Sequence, residues 1–193
     1  MQIVAIHCGE NKTSNVLPQI AVMQRVFEEQ GVEFSCIDIS DKCLVACDAC
    51  EQCKESQYAY CEWGDASEWC YEAMRKADGV ILASSGVFGN AMPGMLGLMD
   101  KVVYLSQQAS QNNPAAAPLR RKVCTPLVAV DNDGAIETYM SILAMCECTQ
   151  MIVPAAPAWT IADPANPSHE EDSSQRLTAL AHRMVEILRL ITA

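Results

Sequence analysis

At 193 residues, half of them apolar, the chain is long enough to close one sizeable hydrophobic core, and no unbroken apolar run reaches the length of a membrane span. A net charge of −11 excludes the basic footprint on which nucleic-acid binding depends. The opening Met-Gln-Ile-Val-Ala-Ile-His has no basic leader, so the eleven cysteines point to metal or redox use in a reducing compartment, with the cytoplasm as the expected location.

In chain order, Gln2 to His7 is an apolar run that reads as a buried strand. It ends in Cys8-Gly9-Glu10-Asn11-Lys12-Thr13-Ser14-Asn15, after which Val16, Leu17, Ile20, Ala21, Val26 and Phe27 recur at helical spacing until Gly31. Glu33 to Ile39 alternates as a second strand, giving the β–loop–α–β unit of an open parallel sheet. A cysteine-rich loop then interrupts the pattern. A helix is predicted from Asp65 to Ala77, a third strand over Gly79 to Ser84, and a helix from Pro93 to Gln107. A fourth strand covers Val123 to Val130, and a helix runs on to Cys146. The fifth strand is placed at Met151 to Val153, Pro154 to Ser168 is read as irregular, and an amphipathic helix closes the chain over Glu170 to Ile191. Five strands alternating with five helices predict a doubly wound, three-layer α/β/α sandwich. Residues 1–193 read as one domain with the loop 43–61 inserted in it.

The inserted loop carries Cys47, Cys50, Cys53 and Cys61 at the spacing C-x2-C-x2-C-x7-C. Asp48, Glu51, Gln52, Lys54, Glu55 and Ser56 lie between the thiols, so burial of small hydrophobes does not account for the segment. Two-residue gaps let a tight loop turn successive thiolates toward one point, and four thiolates ligate one iron–sulfur cubane. Structural zinc, which usually takes two separated cysteine pairs, and reduced thiols without metal are the competing readings. Cys43 is a weaker alternative ligand. The other cysteines read as core residues or surface thiols, and His7, His169 and His182 lack metal-ligand spacing.

Ligands of such sheets bind beyond the carboxyl ends of the strands, where three polar or glycine-rich loops are predicted. Thr13, Ser14 and Asn15 precede a helix and suit either an anion or simple helix capping. Gly86 and Gly89 allow backbone to approach a flat ligand beside Phe88, or else form a plain turn with Phe88 in the core. Asp131 to Ala135 makes the third loop.

These residues together resemble the iron–sulfur flavoproteins of the flavodoxin-like NAD(P)H-dependent FMN reductase superfamily. The resemblance is carried by the first strand and Ser-Asn loop, the cysteine run, and Ala83-Ser84-Ser85-Gly86-Val87-Phe88-Gly89-Asn90 leading into Leu96-Gly97-Leu98-Met99-Asp100-Lys101. It implies a five-stranded parallel sheet of order 2-1-3-4-5 and FMN, with its phosphate at Thr13, Ser14 and Asn15. It also implies an isoalloxazine against Ser84, Ser85, Gly86, Val87, Phe88, Gly89 and Asn90 on one side and Asp131, Asn132 and Gly134 on the other. A homodimer or dimer of dimers follows from the same resemblance. Three departures stand out: Cys8-Gly9-Glu10 replaces the family's G-S-P-R loop, leaving Lys12 as the nearby cation, Ser85 replaces a proline, and the third loop is acidic.

The function expected is electron transfer through a [4Fe-4S] cluster and FMN, from a donor such as ferredoxin to a two-electron acceptor. Side chains need not act as acid or base, because the cofactors carry the chemistry. A cluster-free NAD(P)H-dependent flavin or quinone reductase and a thiol-based redox sensor are the alternatives.

Overall fold

The structure, a computed structural model, describes all residues except 11–15, 63, 112, 114, 116, 131–132, 155–157, 162–167 and 193, and describes 158–161 and 168–171 by backbone alone. Its elements are β1 (Gln2–Cys8), α1 (Val16–Glu29), β2 (Glu33–Asp38), a 3-10 turn (Gln52–Lys54), α2 (Ser67–Lys76), β3 (Gly79–Val87), β4 (Asn90–Ala91), α3 (Pro93–Ser110), β5 (Val123–Val130), α4 (Ala135–Cys148), β6 (Ala158–Ile161) and α5 (Ser168–Thr192).

The parallel strands are ordered β2-β1-β3-β5-β6, which is 2-1-3-4-5 once the two-residue β4 is set aside. β4 was not anticipated; it folds back antiparallel on the end of β3, pairing Gly86 with Ala91 and Val87 with Asn90. The central strands are buried on both faces, so they read as continuous apolar runs. Alternate side chains serve two cores. Ile3, Ala5, Ile81, Ala83, Leu127 and Ala129 pack against α1 and α5, while Val4, Ile6, Val80, Leu82, Val128 and Val130 pack against α2, α3 and α4.

α1 forms because Val16, Gln19, Ile20, Met23, Val26 and Phe27 fall on one buried stripe. It stops at Gly31, whose φ of 69° lets Val32 N–H return to the Phe27 carbonyl at 2.9 Å, a Schellman-type closure.

The predicted fifth strand is a correction. Ile152 makes one bridge to Val123, donating to Lys122 O and accepting from Cys124 N, each at 2.9 Å. The next rung would need N–H groups from Pro154 and Pro126, and proline has none. The ladder therefore breaks there and resumes at β6, inside the stretch read as irregular, where Ala158 pairs with Leu127. Among the described residues no helix is long and apolar enough to cross a membrane.

Candidate functional site

The cysteine loop leaves β2 and returns to α2, and it is moored to α3 on the way. Asp100 of α3 accepts a hydrogen bond from Cys47 N at 2.8 Å. Helix and loop approach so closely at Gly97 that a Cβ there would stand 2.7 Å from the Leu44 carbonyl oxygen. Within the loop, Ala49 (φ 55°), Glu51 (φ 63°), Gln57 (φ 55°) and Tyr58 (φ 62°) all hold the left-handed conformation that non-glycine residues avoid. Strain of this kind gathers at functional sites, and here the first two positions flank Cys50 and turn the chain around it.

The result is one pocket, open in part to solvent, walled by Cys47, Cys50, Cys53, Cys61, Asp48, Glu51, Glu62, Lys101, Tyr104 and Leu105. All four predicted thiols are on that wall; Cys43 is exposed and does not reach it. Cys53 is buried, Cys47 and Cys61 are half-buried and Cys50 is exposed. Burial pushes the Cys47 thiol up, and Asp100, Cys61 and Asp48 add to this against the Ala49 N–H that points at its sulfur. Burial also raises Cys53, opposed by its own backbone N–H and reinforced by Cys61, Cys47 and Cys50. The thiols thus feel one another electrostatically, and thiols gathered this way become thiolates together when a cation compensates them. Among the described residues, no three His, Cys, Asp or Glu side chains close on a point as a single metal ion requires.

Lys101, Tyr104 and Leu105 of α3, to which the sequence reading gave no part in the cysteine site, complete this wall. Lys101 is 1% exposed and forms an ion pair with Asp65. Asp65 also accepts from Ser67 N at 3.0 Å. Burial acts to raise the Asp65 pKa, but Lys101 and Ser67 together hold it below the ordinary carboxylate value. Tyr104 lies one turn beyond Lys101 on α3. The available signal was a lysine set among Leu98, Val102 and Leu105 on an otherwise apolar helix face.

The second region is the carboxyl edge of the sheet. Lys12, Thr13, Ser14, Asn15, Asp131 and Asn132 lie outside the described residues. Ser84 is buried, and its hydroxyl accepts from Met92 N at 3.0 Å and donates to the Ser85 carbonyl at 2.8 Å. Gly86 is tightly enclosed: a Cβ there would meet Val130 Cγ1 at 2.4 Å and Thr138 Oγ1 at 2.8 Å. The second and third predicted loops touch, because a Cβ on Gly134 would sit 2.8 Å from the Gly89 Cα. Between them Phe88 stands fully exposed with φ 49°, so its alternative reading as a core residue is overturned. Val87 is half-buried and Asn90 exposed. At the ends of β1 and β2, His7 Nδ1 lies 3.2 Å from Asp38 Oδ1. His7 is wholly buried and its Nε2 has no partner among the described residues.

Residues 1–165 match the family described as NADPH-dependent FMN reductase. The chain belongs to that family. A curated relative named iron-sulfur flavoprotein, from Methanosarcina thermophila, is 27% identical over 194 residues, covering 99% of this chain and 97% of the relative. A relative of the same name from Archaeoglobus fulgidus is 26% identical, covering 74% of this chain and 67% of its own length. Among solved structures, RosB with its bound intermediate 8-demethyl-8-formylriboflavin-5'-phosphate superposes with a TM-score of 0.78 at 14% identity, covering 100% of this chain and 80% of that one. A flavodoxin from the domain Archaea gives 0.60 at 12% identity, covering 95% and 99%. The fold is flavodoxin-like, and the family and its relatives place the chain among flavin-dependent electron-transfer proteins.

Proposed function

We propose that this chain is an electron-transfer iron–sulfur flavoprotein, one flavodoxin-like domain (1–193) with residues 43–61 as its cluster loop. In this reading the cysteine pocket holds a [4Fe-4S] cluster and the carboxyl edge of the sheet holds FMN. The observation that carries it is the gathering of Cys47, Cys50, Cys53 and Cys61 on a single pocket in a chain with a flavin-family fold. The donor set fits: one cubane takes four terminal thiolates, and four are offered.

When bound, a cluster exchanges single electrons and FMN one or two, so the pair links a one-electron donor such as ferredoxin to a two-electron acceptor. The protein's own part is positioning. Asp100 fixes the backbone at Cys47, the Ala49 N–H points at the Cys47 sulfur, and the left-handed residues aim the loop. Hydrogen bonds to ligand sulfurs and nearby charge both tune a cluster. At the sheet edge Lys12, Thr13, Ser14 and Asn15 would take the FMN phosphate. Residues 84–90 with Asp131, Asn132 and Gly134 would border its ring, with exposed Phe88 beside it. Assembly into a homodimer or homotetramer, and a cytoplasmic location, belong to the same reading.

The test is Cys50→Ala in protein purified without oxygen. The variant is expected to keep its flavin absorbance and lose iron, acid-labile sulfide and donor-to-FMN transfer. Iron content equal to wild type defeats the assignment. The family description favours one other reading, a cluster-free NADPH-dependent flavin reductase. Wild-type protein that carries FMN without iron or sulfide decides for it.

A further inference from the structure

The cysteine pocket has an unusual charge arrangement. Four thiols and three carboxylates (Asp48, Glu51 and Glu62) face it, and among the described residues one cation, Lys101, lies on its wall. Lys54 does not share this role; it is exposed and reaches Glu51 at 2.5 Å. Lys101 is different in kind because it is 1% exposed. A buried ammonium needs a partner, and Asp65 supplies it from just ahead of α2, itself held by Ser67. Charges in such a place are screened far less than surface charges.

We propose that Lys101 and Asp65 form a built-in charge pair that sets the reduction equilibrium of the group held by the four cysteines, with Lys101 favouring the added electron and Asp65 opposing it. Both are positioning residues that act through the field, without ligating. The inference rests on the cluster reading above. Lys101 sits on the wall itself and Asp65 does not, so the ammonium dominates and the two effects differ in sign and size. Placement on a helix that also carries Asp100, the mooring of Cys47, keeps the charge at a fixed station relative to the thiols.

The experiment is an anaerobic EPR-monitored redox titration of the iron-loaded, full-length protein with its Lys101→Met, Asp65→Asn, Lys101→Arg and doubly substituted Asp65→Asn/Lys101→Met variants. Lys101→Met is expected to make reduction about tenfold less favourable, which is a downward shift of about 59 mV for a one-electron couple. Asp65→Asn is expected to move it upward by a smaller amount. The double variant falls between the single ones, and Lys101→Arg stays at wild type. A purely structural pair would move both single variants the same way or neither, and either result with iron retained overturns the inference. If Lys101→Met loads iron poorly, Asp65→Asn and Lys101→Arg decide: no upward shift in the first, or a Met-like shift in the second, overturns it. Wild-type protein without iron and sulfide is a distinct result, which removes the cluster reading and this inference with it.

Discussion

Gly97→Ala isolates the mooring between α3 and the cysteine loop. The added methyl lands 2.7 Å from the Leu44 carbonyl oxygen and 3.2 Å from its carbon, both backbone atoms that cannot swing aside. Loop and helix must separate by several tenths of an ångström, and overpacking of this kind costs about 1–3 kcal/mol. Against this, Ala in place of Gly in a helix contributes about 1 kcal/mol. The net expectation is a loss of about 1 kcal/mol, read by urea unfolding of the cluster-free protein, with lowered iron uptake on anaerobic reconstitution because Cys47 lies three residues beyond Leu44. Gly94→Ala is the internal control. Its methyl meets a side-chain tip, Cys8 Sγ at 3.1 Å, and clears Leu44 Cδ1 at 3.7 Å, so iron uptake should be near wild type. If Gly97→Ala is stabilised by the full helix gain and loads iron normally, the close approach does not position the loop.

Other outcomes follow from the sheet edge. Gly86→Ala drives a methyl into Val130 and Thr138 and should cost about 1–3 kcal/mol, seen as a lower thermal midpoint; an unchanged midpoint contradicts the packing. Phe88→Ala should leave stability intact, since the ring is fully exposed and its backbone is left-handed. It should weaken FMN binding by about 1 kcal/mol, roughly fivefold by fluorescence titration, and an unaltered affinity would separate Phe88 from the flavin. Burial lowers the His7 pKa against the opposing pull of Asp38, so below the free value of 6.5 the unfolded chain binds the extra proton and stability falls as pH drops. For Asp38, burial acts upward but the Ser40 bonds and His7 bring its pKa below 3.8, so its contribution is lost only in stronger acid. His7→Gln should flatten the urea-midpoint profile between about pH 7 and pH 5; a profile of unchanged slope rejects His7 as its source.

The sheet was legible because its strands are buried on both faces and announce themselves as apolar runs, and Gly31 and Pro93 punctuate the helices as their chemistry demands. The edge was not. Met151 to Val153 has the composition of a strand, and only the register reveals that Pro126 and Pro154 fall on the same missing rung. The cysteine quartet was legible from spacing alone, since polar residues between thiols leave few other reasons for them. Its remaining wall was hidden because Lys101 and Tyr104 reach it, and Asp100 moors it, through the packing of α3 against the loop, at separations of about 40 to 55 residues from Cys47 or Cys61 that no local pattern encodes. Phe88 shows the converse: composition allowed a core aromatic, and only its exposed, left-handed placement points outward.

α3 links the sheet edge to the cysteine loop. Its first residues are set by the sheet edge, where the Ser84 hydroxyl receives Met92 N–H and Cys8 Sγ lies against Gly94. About one turn on, Gly97 admits the Leu44 backbone, and a turn further Asp100 moors Cys47 while Lys101 and Tyr104 line the cysteine pocket. A helix rises about 1.5 Å per residue, so the stations from Met92 to Lys101 are about 14 Å apart along a single rigid rod. The block Ala83 to Lys101 is therefore one device, in which a strand end, a turn and a helix hold the two candidate ligand regions in fixed relation. Changes at Gly86 and at Gly97 should in consequence be additive in stability, because the rod separates them, while each impairs only the region it touches. Loss of flavin binding in Gly97→Ala, or of iron in Gly86→Ala, would show that the helix transmits more than position.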